Sequence, residues 1–254
     1  MMRFSIKWVA VWCWLAVCSG LVMAAALPVL AESNVPFSYW QDGAIQGYCT
    51  DIVRATLGAA RLPYQVDIQP WARIYTTTLA RPGTLMYPVA RTPERENKFK
   101  WIGPLVSNRI ALFRKKGRGD VVVHSLDDAR RYRIGVVNMD FREEYLRRKG
   151  FADGGDKTLM VVSSSDLLLP MLQAGRIDLV PLGLAKCAPH GLDCSQIEPV
   201  YVLSELESGL YMVFNRDTSD ALVQQVRDGF ERIRRSGRLA RIMEPLNRIY
   251  GMSE

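Results

Sequence analysis

The chain has 254 residues, 48% of them apolar and 23% charged, with a formal net charge of +7. That is the composition of a soluble globular protein, long enough for one large domain or two lobes with real cores. The basic excess is not gathered into a Lys/Arg block interleaved with aromatics, so nucleic-acid binding is not expected, and the cluster Arg114 to Gly119 reads as a solvated turn.

Arg3 and Lys7 precede an uncharged run from Trp8 to Leu30 that includes Ala24, Ala25 and Ala26. A basic start, an apolar stretch and an Ala-x-Ala ending describe a secretory signal peptide over residues 1–26. A transmembrane anchor competes with it, because the run is long enough to span a bilayer. Cys18, Ser19 and Gly20 inside the run weigh against an anchor, and the tail Leu27 to Glu32 can serve as a first strand. A lipid anchor on Cys18 is disfavoured, since Val17 stands where a small residue is wanted. The expectation is export to the periplasm. Cys49, Cys187 and Cys194 then remain. Cys187 and Cys194 bracket a loop containing Pro and Gly, which in an oxidising compartment favours a disulfide. Zinc would need more soft ligands than a chain with two histidines, His124 and His190, supplies. No metal or cofactor is expected, and Cys49 is left as a buried free thiol.

Strand-like and helix-like segments alternate from there. Leu27 to Glu32 reads as a strand, and Thr50 caps a helix to about Leu62. Tyr64 to Gln69 alternates as a strand. Trp71 to Ala80 is helical, stopped by Arg81-Pro82-Gly83. Leu85 to Val89 is a buried strand. Behind it, Thr92 suits a helix N-cap and Pro93 the first helical position. Arg95 would then sit in the first helical turn, against the dipole, where free N–H groups and a guanidinium make an anion site; a solvated Arg is the plain alternative. A long strand covers Asn108 to Lys116. Ser125 caps Leu126 to Tyr132, Tyr132 to Val137 is a strand, and Asp140 with Glu143 forms a capping box for a helix from Phe141 to Gly150. Leu159 to Ser164 is a strand, and Ser165 starts a helix that contains Pro170 and ends at Gly175. Arg176 to Leu182 and Glu207 to Arg216 are strands. Ser219 caps a helix to about Gly237, and Arg238 to Gly251 forms the last.

This is α/β order, for which a mostly parallel sheet is expected. The long strands near 108–116 and 207–216 bracket a complete smaller α/β unit. The expected organisation is residues 1–26 as signal peptide, 27–110 as the first part of lobe 1, 111–207 as lobe 2, and 208–254 as a return hinge strand with C-terminal helices on lobe 1. Ligands in open α/β sheets bind beyond the carboxyl ends of the strands. The segments after Val89 and after Val137 lie at such ends, one per lobe, facing each other across a cleft.

In this order, Val35 to Val53, Pro70 to Tyr75, Arg91 to Leu105, Tyr132 to Val137, Met171 to Val180, Gly209 to Asp217 and Arg234 to Met243 resemble the bacterial periplasmic solute-binding proteins of family 3, the amino-acid type. Thr-Pro-Glu-Arg followed by an aromatic and Gly-Pro is the most specific part. The resemblance implies a two-lobed type II periplasmic binding fold with a two-stranded hinge. It implies a small-molecule ligand, an ABC permease as partner and a monomer. Arg95 matches the arginine that holds the ligand's carboxylate. Tyr39 and Trp40 match an aromatic wall, Trp71 and Arg73 fall near the cleft, and Tyr87 precedes the strand end beside Arg95. Ala90 stands where amino-acid binders carry a small hydroxyl residue. Asn138, Met139, Asp140 and Phe141 stand where they carry a Gly-Ser/Thr-Thr turn. The stretch after Asp178 lacks the acid that meets an α-ammonium; Asp140 could supply that charge or serve as a helix cap. A Gly-x-Ser-x-Gly elbow, a phosphate loop and a His-Glu-x-x-His motif are all missing from the sequence. A binding protein is therefore expected, with a periplasmic dehydratase using Asp140, or a sensor subunit for a membrane receptor, as alternatives.

Overall fold

The computed structural model describes residues 25–153, 158–187 and 191–250, so the expected leader lies outside the described residues except for its last two positions. Strand β1 (Leu27–Ala31) is buried at every position but Pro28, as befits a strand covered on both faces. A hairpin of β2 (Tyr39–Gln41) and β3 (Ala44–Gln46) follows. Asp42 and Gly43 link them, both at positive φ, as a two-residue hairpin turn of this hand requires. Helix α1 (Tyr48–Ala59) begins behind Gly47, not at Thr50. Gly47 has φ +120, and a Cβ there would lie 2.4 Å from the Phe37 carbonyl, so only glycine lets the chain pass this close. Thr50 instead lies inside the helix, donating to the Gln46 carbonyl at 3.1 Å.

Next come β4 (Tyr64–Ile68), α2 (Trp71–Ala80) and β5 (Leu85–Ala90), as expected. The helix expected from Thr92 does not form: a turn leads to a single 3-10 turn at Glu96–Lys98, and β6 (Phe99–Asn108) departs at once. The strand expected through Lys116 breaks at Arg109, whose carbonyl accepts from the Leu184 N–H, and resumes as β7 (Ile110–Lys115). Leu126 to Tyr132 forms only a 3-10 turn at Asp128–Arg131. Strand β8 (Ile134–Val137), α3 (Phe141–Arg148), β9 (Leu159–Val162), a short α4 (Leu168–Gln173) and β10 (Val180–Gly183) then build the second lobe. An additional strand, β11 (Ile197–Val202), pairs with β7 before β12 (Ser208–Asn215) rejoins the first sheet.

The first sheet runs β4-β1-β5-β12-β6; the second lobe holds β10-β7-β11 and β8-β9. The first sheet is mixed, and the second lobe divides into an antiparallel three-stranded sheet and a parallel pair, so neither lobe is the mostly parallel sheet expected. The pairs β1–β4, β1–β5 and β8–β9 are parallel, whereas β12 and β7 run antiparallel to their neighbours. The reason is connectivity: a strand that carries the chain into or out of a lobe does not follow a right-handed crossover. Helices α5 (Asp220–Arg235, capped by Ser219) and α6 (Arg238–Tyr250) close the first lobe. Val223, Val226, Phe230 and Ile233 form the buried stripe of α5, and Gly229 lets it approach α1 so closely that a Cβ would lie 2.5 Å from the Thr56 carbonyl. Among the described residues no helix is long and apolar enough to cross a membrane.

Cys187 and Cys194 are bonded, their Cα atoms 5.5 Å apart, and Cys49 is buried and free. Peptide mapping without reductant should recover the Cys187–Cys194 pair from exported protein, and its loss should cost about 2–3 kcal/mol. Free alkylation of both thiols in the native protein would contradict this.

Candidate functional site

Arg95 is fully buried although it follows a surface turn. No α-helix starts there, so a helix dipole does not explain its position. The partners lie across the cleft. Its Nη2 donates to the Met139 carbonyl at 3.0 Å and stands 3.2 Å from the Glu144 carboxylate. Its guanidinium carbon lies 5.0 Å from the centre of the Trp71 ring and 5.2 Å from that of Tyr75, within cation–π range. Trp71 Nε1 donates to the same Met139 carbonyl at 2.8 Å. Met139 adopts φ 61, which turns this carbonyl towards lobe 1 while its own N–H donates to Glu143. Nε and Nη1 of Arg95 are buried with no partner among the described residues.

Asp140 caps α3 but is more than a cap. It accepts the Arg142 N–H at 2.9 Å and both arms of the Arg142 guanidinium, at 2.6 and 3.0 Å. Arg142 Nη1 also reaches the Pro181 carbonyl at 3.2 Å. Burial alone would raise the Asp140 carboxyl, yet the charge and hydrogen bonds of Arg142 hold it below the usual carboxylate range. The capping box is displaced by one residue, since Glu143 accepts from Met139 and not from the cap itself.

Glu32, directly after β1, is the counterpart in lobe 1. Its Oε1 accepts from Asn34 Nδ2 at 2.9 Å. Burial, and then the Asp140 charge, push its carboxyl up to about 7. Lys186 from lobe 2 is buried too; burial and the nearby Arg142 push it down to about 8. Glu32, Ala90, Arg95, Asp140, Arg142 and Lys186 line one narrow cavity between the lobes, with Phe37, Trp71, Phe141 and Asn108 as its less polar walls. It holds little more than a water molecule as closed here. A wider pocket at the mouth is lined by Tyr39, by Trp40, which is 57% exposed, and by Ser164 to Asp166. There Ser165 Oγ donates to the Ser33 carbonyl at 2.8 Å, tying the lobes a second time.

Three expected residues lie elsewhere. Arg73 is exposed on another face of α2, two residues round the helix from Trp71. Tyr87 is in the core of lobe 1, its hydroxyl donating to Thr50 Oγ1 at 3.1 Å, because its strand is buried on both faces. Asn138 is exposed and its N–H completes the pairing with Val162. Glu32, Arg142 and Lys186 were not anticipated. For Glu32 the signal was available: an acid at the carboxyl end of a central strand.

A Glu raised from 4.5 to about 7 binds more protons folded than unfolded, so its contribution is present below pH 4.5 and lost as pH rises through about 7. Stability should therefore fall by on the order of 2 kcal/mol between about pH 5 and pH 7.5, and Glu32→Gln should flatten that slope. Urea melts at stepped pH check this; an equal slope in both proteins would place the titration elsewhere.

A family model described as bacterial extracellular solute-binding proteins, family 3, matches residues 29–246. No protein of curated function matches the chain in sequence. Several solved structures share the fold. The arginine-, lysine-, histidine-binding protein ArtJ from Geobacillus stearothermophilus is 19% identical, with a TM-score of 0.71 over 89% of this chain and 96% of its own. A histidine kinase sensor domain with similarity to periplasmic binding proteins is 16% identical, with a TM-score of 0.72 over 85% and 94%. The GluR0 ligand-binding core from Nostoc punctiforme is 14% identical, with a TM-score of 0.71 over 86% and 97%.

Proposed function

The chain belongs to the bacterial extracellular solute-binding proteins of family 3, and on that premise we propose that it captures a small carboxylate-bearing, amino-acid-like solute between its lobes and delivers it to an ABC permease. It acts as a monomer in the periplasm, after removal of residues 1–26. The observation that carries this reading is Arg95, a fully buried guanidinium at an interlobe cavity with two nitrogens unpaired. Glu144 and the Met139 carbonyl occupy Nη2 only; the buried Nε–H and Nη1–H groups still need an acceptor, and a carboxylate entering the cavity meets that need. Ala90, Asp140 and Phe141 line the same cavity, and Tyr39 and Trp40 flank its mouth, where an aromatic wall would cover the solute.

Binding, rather than catalysis, also fits Asp140. A general acid must be protonated near its working pH, and Arg142 holds this carboxylate ionised. The likeness to a kinase sensor domain supports a second use of the same closed shape, as a signal read by a membrane receptor. A thermal-shift screen of amino acids, organic acids and their amides against the mature protein tests the reading. Carboxylates should raise the melting temperature and their amidated counterparts should not. Stabilisation by neutral sugars or amides alone would overturn it.

A further inference from the structure

Arg95, paired with Glu144 through Nη2 alone, is not the only cation in the cavity with donors to spare. Lys186 is 7% exposed and lines the cavity from lobe 2. Among the described residues its ammonium makes no hydrogen bond and no carboxylate lies within ion-pair reach. It is also held in place. It sits in the 3-10 turn Leu184–Cys187, its carbonyl accepts from the Leu192 N–H at 2.6 Å, and the next residue is bonded to Cys194.

The charges facing it do not neutralise it. Asp140 is committed to Arg142 through two guanidinium contacts and a backbone N–H. Arg142 adds repulsion. Asp166 at the pocket mouth is bound up with Ser33 and Ser164. Glu32 is held by Asn34, and its raised carboxyl leaves it only partly ionised near neutrality. With the Asp140–Arg142 pair self-compensated, the cavity presents one cation with unpaired donors from each lobe: Nε and Nη1 of Arg95, whose Nη2 alone meets Glu144, and the ammonium of Lys186. A solute with a single carboxylate would answer Arg95 and leave Lys186 bare when the lobes close.

We propose that the solute carries two carboxylates, one received by Arg95 from lobe 1 and the other by Lys186 from lobe 2. This rests on the reading above that Arg95 takes a carboxylate. Such a solute contacts both lobes through charge, which is the differential affinity that closure requires. Glu32 lines the same cavity and would accept from a donor on the solute such as an ammonium or hydroxyl.

The test pairs diacids with their isosteric monoamides in calorimetric titrations of the mature, oxidised protein: L-glutamate with L-glutamine, L-aspartate with L-asparagine, and glutarate with its monoamide. The diacid of at least one pair should bind about ten- to a hundredfold tighter than its amide, the range of one charge-assisted contact. In Lys186→Met that ratio should fall to near one, and in Lys186→Arg it should persist. Melting curves of the empty variants identify any loss that reflects misfolding, and Lys186→Arg keeps the charge if Lys186→Met does not fold. Amides binding as tightly as diacids would overturn this inference and leave the carboxylate reading standing. Failure of every probe would overturn the inference too, with the carboxylate reading then decided by the wider screen. A ratio unchanged in a folded Lys186→Met, or tighter binding of O-phospho-L-serine than of any diacid, would likewise overturn it.

Discussion

Arg95→Ala should cost roughly 3–5 kcal/mol of ligand binding, a loss of two to four decades in affinity. The variant leaves the ligand's anion buried in the cavity without its partner, and a buried charge stripped of its partner is far more costly than the pair was worth. Arg95→Lys should recover only part of this. An ammonium cannot keep Nη2 on the Met139 carbonyl and also offer the remaining nitrogens of a planar fork to a carboxylate. The empty protein should lose less than binding does, about 1–3 kcal/mol, for the hydrogen bond to Met139 and the contact with Glu144 that go with the buried guanidinium. Glu144, the protein's own carboxylate beside Arg95, is 29% exposed and can rehydrate when the arginine goes. Calorimetry with the ligand found by screening, beside melting curves of each empty variant, separates the two effects. If Arg95→Ala binds like the parent, or melts far below it while empty, Arg95 is a structural residue.

Asp140→Ala should be the most destabilising change in the cavity, costing about 3–5 kcal/mol of folding free energy. It removes the carboxylate that accepts three N–H groups and leaves the Arg142 guanidinium buried with only the Pro181 carbonyl. It also deletes the N-cap of α3. For a chain of this size the melting temperature should drop by roughly 10 °C, at 2–4 °C per kcal/mol. Replacing both members, Asp140→Leu with Arg142→Met, should restore much of the loss, because two apolar side chains carry no uncompensated charge. Urea unfolding of the two proteins decides it. A single variant within 1 kcal/mol of the parent would mean that the pair is solvated in the ground state, contrary to its burial.

Much of the fold was legible because its signals are local. The all-buried strands β1 and β5, the helical stripe of α5 and the Ser219 cap each declare themselves within a few residues. Strands β6 and β11 carry the opposite local signals. Gly103 and Pro104 interrupt β6, and Pro199 interrupts β11 at a register shift, so both read as breaks although neighbouring strands hold them extended. The hairpin of β2 and β3 was signalled by Asp42-Gly43, a pair that reads as a turn at sight. The cavity divides in the same way. Trp71, Ala90, Arg95, Asp140 and Phe141 stand at or just beyond strand ends or begin helices, positions that a strand-end rule reaches. Whether Tyr87 or Arg73 points to the cleft depends on which face of its element is covered, and that is set by residues far away in the chain. Lys186 is beyond any local rule, since its isolation is a property of what three distant segments fail to place beside it.

The latch between the lobes joins side chains on one side to a backbone oxygen on the other. Trp71 and Arg95 both converge on the carbonyl of Met139, an atom that every amino acid possesses. Sequence drift therefore acts on the two halves unequally. Position 139 can change identity and keep the acceptor, provided the newcomer tolerates φ 61, which admits Gly or Asn and resists β-branched residues. Positions 71 and 95 have no such freedom, because only their particular side chains supply the donors. A saturation scan of the three codons scored for lobe closure should thus be lopsided, permissive on the second lobe and nearly monomorphic on the first. The partner surface of lobe 2 is in this sense free to acquire new solute contacts around position 139 without surrendering the geometry in which the protein shuts.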